Sequence, residues 1–159
     1  MMSLEGKRTM ATVDDVAAYI MEKQGAMTAM KLQKLVYYVQ AWGLVWDERA
    51  LFPERLEAWA DGPVCPTLYR THRGQFQLSG VWPEGDAGAL DTDGRETIDA
   101  VLEFYGDKSA QWLSDLTHSE RPWVEARGDL STGESSNSEI THASMAEYYS
   151  ALDATQSGL

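Results

Sequence analysis

Apolar residues first recur at helical spacing along Val13, Val16, Ala17, Ile20 and Met21, and the pattern stops at Gly25. Thr12 stands at the N-cap position, with Asp15 three residues on as in a capping box. A longer stripe follows, Leu32, Leu35, Val36, Val39, Trp42 and Trp46, opened by Thr28 and uninterrupted by proline. It predicts a helix of about 19 residues, ~28 Å long, at the centre of a small domain. The pattern then changes. Leu51-Phe52 and Leu56–Ala60 are too short for ordinary helices and are split by Pro53-Glu54-Arg55. They predict a small antiparallel ribbon, ended by Asp61-Gly62-Pro63 as a turn.

Pro66 suits the first turn of a short helix carrying Leu68, Tyr69, Arg70 and Arg73. Residues 74–92 show no helical period and are expected to form a long loop. Asp93 with Glu96 forms a second capping pair, ahead of Ile98, Val101, Leu102 and Tyr105, with Gly106 as the stop. Ser109 opens a helix with Trp112, Leu113 and Leu116, and Pro122–Arg127 reads as one or two turns ended by Gly128. A polar loop, 128–138, precedes a last helix capped by Thr141 and carrying Met145, Tyr148, Tyr149 and Leu152. The expected fold is mainly α, about six helices around a long central helix, with one small antiparallel β-ribbon. Residues 1–11 read as a disordered leader or tag remnant, 12–153 as one folded domain and 154–159 as a flexible tail. No internal repeat is evident.

Charge refines this picture. The chain has 159 residues, with 13 Lys and Arg against 25 Asp and Glu, a net charge of −12. Residues 1–83 are neutral, 84–107 hold eight acids and only Arg95, and 128–159 hold five acids and no base. The acidity belongs to the second half, as a solvated face or as a guide for a basic partner. There is no apolar stretch of transmembrane length, and the first ten residues lack the apolar core of a secretory signal. With the lone Cys65 excluding an intrachain disulfide, a cytoplasmic location and no membrane association are expected.

No set of residues forms a catalytic signature. His72, His118 and His142 are isolated, and no spacing suggests a metal or cofactor site. Cys65 reads as an inert buried thiol rather than a nucleophile. His118 has Glu120 and Trp123 nearby and could act as an oriented base, or simply pin a helix end. The aromatics say more. Trp42, Trp112 and Trp123 fall on predicted apolar faces, whereas Trp59 and Trp82 do not and are either core or interface anchors.

The run from Met27 to Trp42, with its Lys31-Leu32-Gln33-Lys34-Leu35 centre, resembles the opening of the Panacea domain. The likeness continues through Leu51-Phe52, Glu57–Val64 and Leu68-Tyr69, then Leu116–His118, Pro122-Trp123, Ala126-Arg127, Ile140 and Tyr148-Tyr149. That family comprises SocA-like antitoxins and phage-associated GepA-type proteins. The resemblance implies a mainly helical antitoxin that neutralises a cognate toxin, encoded nearby, by direct contact. It also implies an alternative, an adaptor delivering its toxin to a protease, which adds a protease or chaperone as a partner. We expect the contact at Lys31, Lys34, Tyr38, Trp59, Asp61, Gly62, Pro63, Tyr69, Arg70 and Arg73, although Lys31 and Lys34 equally suit a solvated helix face. Two further readings are a hydrolase using His118, and DNA binding through Lys31, Lys34, Arg70 and Arg73. The second lacks a recognition helix rich in Arg, Asn or Gln.

Overall fold

The organising element is α2, Ala29–Trp46, an 18-residue helix whose middle is buried on every side. A helix apolar around most of its circumference must lie inside the fold. The others pack around it: α1 (Val13–Gln24), α4 (Thr92–Tyr105), α5 (Ala110–His118) and α7 (His142–Ser157). Two short helices, α3 (Pro66–His72) and α6 (Arg121–Arg127), complete the seven α-helices among the described residues. This computed structural model describes residues 10–131 and 133–157. The expected disorder of residues 1–9 lies outside them, Ala11 sits at the edge of the core, and α7 continues past residue 153 to Ser157.

Local signals set most helix ends. Thr12 and Asp15 form the reciprocal capping box of α1, and Gly25 ends that helix at φ 79°. Thr28 caps α2 through Lys31 N, Ser109 caps α5 through Trp112 N, and Thr141 receives Ser144 N at the start of α7. Helix α4 departs from expectation. Its cap is Asp91 rather than Asp93, because Asp91 Oδ1 accepts both Gly94 N and the Arg49 guanidinium.

The strands are less local than expected. β2 (Leu56–Trp59) and β3 (Gly62–Val64) form the hairpin, joined by Ala60-Asp61, so Gly62 and Pro63 lie in β3 rather than in the turn. β3 is an edge strand, where the missing N–H of Pro63 is tolerated. On its other side β2 pairs with β5 (Glu139–Ile140), giving the order β3-β2-β5. Leu51-Phe52 is not a strand. The Gln40 side chain takes its backbone groups instead, accepting from Leu51 N and donating to Phe52 O, both at 2.8 Å. A second ribbon pairs β1 (Met27–Thr28) with β4 (Gln77–Leu78), inside the expected long loop. The rest of that loop lies along α1, where the Trp82 indole donates to Asp14 and Asp86 N to Asp15. Trp82 is therefore core, whereas Trp112, expected in the core, is 42% exposed.

Candidate functional site

A cleft of about 580 Å³ opens beside the β2–β3 hairpin. The hairpin supplies Trp59, Ala60, Asp61 and Val64 to one wall. Met30 at the start of α2 and Tyr69 on α3 add apolar surface, and Ser135, Ser136 and Asn137 form the polar side. Trp59 and Tyr69 meet edge to face with centroids 5.0 Å apart. The Trp59 indole N–H donates to Glu57 Oε1 at 2.8 Å, and Glu57 is also paired with Arg55 at 3.0 Å, which fixes the ring.

The polar wall is tied to the sheet by Arg127. Its guanidinium donates to Ala58 O, Ser131 O and Glu134 O while lying over the Trp123 ring. Ala58 N donates to Ser138 O, and Arg55 to Asn137 O. The loop after α6 is thus laid against β2, and residues 135–137 face Trp59 and Tyr69 across the cleft.

Of the residues expected at a contact, Trp59, Asp61 and Tyr69 come together here. Gly62 and Pro63 are buried in the strand behind them, and Arg70 and Arg73 are exposed on and just beyond α3. Three do not join. Lys31 turns to α4, donating its ammonium to Gly106 O at 2.7 Å. Lys34 and Tyr38 have no exposed surface, so neither can touch a partner in this conformation. Burial on α2 is the reason, since both sides of that helix are covered. Met30 and residues 135–137 were not anticipated. No local signal marked residues 135–137, since a polar loop such as 128–138 carries no trace of the wall it will form.

Lys34 has an unusual setting. Its Nζ makes no hydrogen bond, and His118 Nε2 nearby makes none either. The Lys34 side chain lies against Gly62, where an added methyl group would collide with Lys34 Cε. Burial lowers the ammonium pKa to about 8, opposed by the charge of Asp61. Burial also lowers that of His118, with the Lys34 charge adding to the effect.

His118 and Glu120 do not form a dyad. The imidazole stacks on Trp123 at 4.1 Å, while Glu120 Oε1 accepts Tyr38 OH at 2.7 Å and Tyr149 OH at 2.6 Å in the interior. Burial raises the Glu120 pKa, and the two tyrosine hydrogen bonds oppose this. Cys65 is buried and its thiol is pushed up to about 11, so it remains protonated near neutrality. Among the described residues, no group of three or more His, Cys, Asp or Glu is placed to hold a metal ion. No helix there is long and apolar enough to cross a membrane.

The family description "Antitoxin SocA-like, Panacea domain" matches residues 32–124, more than half of the chain. The chain belongs to this family. No curated protein and no solved structure matches it. The matched part of this Panacea domain runs from α2 into α6 and includes the hairpin and Tyr69. Helices α1 and α7 flank it in sequence and share its core, and the polar wall of the cleft follows it.

Proposed function

We propose that this Panacea domain is an antitoxin of the cytoplasm that neutralises a protein toxin by direct contact, with the cleft beside the hairpin as the contact site. The observation carrying this reading is the convergence of Trp59, Tyr69 and Asp61 on one cleft with a polar rim. Half-exposed aromatics set in polar surroundings have the make-up of interface anchors. Exposed Arg70 and Arg73 lie alongside on α3 and just past it.

Co-expression with the adjacent open reading frame tests it. The neighbour alone should arrest growth, and the wild-type chain should restore it. Tyr69→Ala removes one aromatic wall, and Asn137→Arg obstructs the cleft from an exposed rim position. Both should lose rescue with melting temperatures close to wild type. A harmless neighbour, or one still toxic beside this chain, removes the antitoxin reading. Full rescue by both variants removes the cleft as the contact.

A further inference from the structure

We propose that the cleft receives a cationic side chain, an arginine or a lysine carried on a basic segment of the partner protein. This rests on the cleft being the contact site and adds the chemistry of what enters it. The lining holds apolar faces and oxygen acceptors, with no Lys or Arg among its residues. Asp61 is its carboxylate. That residue is exposed, its backbone oxygen accepts from Ser114 Oγ, and no described group donates to its side chain. Trp59 has already given its N–H to Glu57, so its ring is what remains to offer.

These features suit a long cationic side chain. Its stem covers apolar surface such as Met30 and Val64, and its head lies by the aromatic faces and reaches Asp61. Ser135, Ser136 and Asn137 add acceptors for the remaining N–H groups. An apolar side chain would strip water from Asp61 without replacing it, and an acidic one would meet like charge. Among the described residues, no neighbouring cation forms an ion pair with Asp61, although the buried Lys34 ammonium senses its charge. Arg55 is paired with Glu57 and Glu139, and Lys34 lies under Gly62 with no exposed surface. The acids of the second half favour the same sign of partner at longer range, acting against the nearby Arg70 and Arg73. A volume of about 580 Å³ exceeds one side chain, which fits entry as part of a segment.

The test uses three matched peptides, Ac-Gly-Ser-X-Ser-Gly-amide, in which X is arginine, citrulline or norleucine. Amide and indole NMR shifts of the whole chain are the readout. The arginine peptide should shift the Trp59 indole and the 135–137 amides saturably. Citrulline, the neutral isostere, should bind about three- to tenfold more weakly, and Asp61→Asn should weaken the arginine peptide by a similar factor. Asp61→Lys should abolish arginine binding and provides a second check. Equal binding of arginine and norleucine, an unchanged affinity in Asp61→Asn, or no saturable shift at the cleft overturns the proposal. The co-expression assay separates this from failure of the contact site. If Tyr69→Ala loses rescue while Asp61→Asn and Asp61→Lys keep it, the contact stands and the cation falls. If Tyr69→Ala and Asn137→Arg also rescue, the contact itself falls.

Discussion

Lys31 and Lys34 are three residues apart on α2 and lie in opposite settings. One ends on a carbonyl at the surface of α4, and the other carries a charge into the interior with no acceptor. An unpaired buried ammonium opposes folding. With the pKa at about 8 instead of 10.5, the unfolded chain binds the proton more tightly. The Lys34 penalty is therefore complete below pH 8, and it fades as pH rises to 10.5. Lys34→Met, which keeps the length and drops the charge, should stabilise the protein by about 1–3 kcal/mol at pH 7. That gain should shrink between pH 8 and 10.5. Urea melts of the two proteins across this range check it, because the tyrosines and Cys65 titrate alike in both. A gain independent of pH would refute the account. The sequence shows two lysines at helical spacing, and nothing local distinguishes them. Their difference arises from the hairpin that closes over one of them.

At the scale of elements, α2, α6 and α7 are joined through a buried polar cluster. Glu120 at the N-cap of α6 accepts from Tyr38 on α2 and Tyr149 on α7, and Tyr37 meets Tyr149 at 3.1 Å. Tyr38 also stacks on Tyr105 of α4 at 4.1 Å. Tyr149→Phe leaves a buried carboxylate with one donor and should cost about 1.5–3 kcal/mol in denaturant unfolding. Tyr37→Phe removes only a bond between neutral hydroxyls and should cost about 0.5–1.5 kcal/mol. Equal costs would mean that the carboxylate is not what these hydroxyls stabilise. The helices were legible in the sequence because their signals are local, as at Thr12, Gly25, Thr28, Ser109 and Thr141. The strands were legible only in part: Leu56–Ala60 reads as one strand of a small antiparallel ribbon, but the remote partners of β1 and β2 leave no local trace. β5 pairs with β2 across some 80 residues, and Leu51-Phe52 looked like a strand until the Gln40 amide occupied its backbone. Half of the cleft was legible through its aromatics. The other half was hidden because a polar loop gives no hint of the wall it forms.

The whole molecule is dominated by its charge of −12. Its exposed ion pairs, such as Arg49–Asp91 and Arg121–Glu125, are worth little individually. Repulsion within 84–107 and 128–157 should therefore outweigh them. Raising salt from about 0.02 M to about 0.5 M should raise the melting temperature by a few degrees, since it shortens the screening length from ~20 Å to ~4 Å. A scanning calorimetry series decides this, and a melting temperature that falls with salt would mean that the ion pairs matter more than the repulsion. The cleft has a different consequence, concerning synthesis. One of its walls is made of residues near 60 and the opposite wall of residues 135–137, held in place by Arg127. A ribosome that has read only as far as residue 100 has made the aromatic anchors but not the surface they face. The cleft comes into being only after residues 135–137 have followed the hairpin out of the ribosome, so the aromatic anchors first emerge without it.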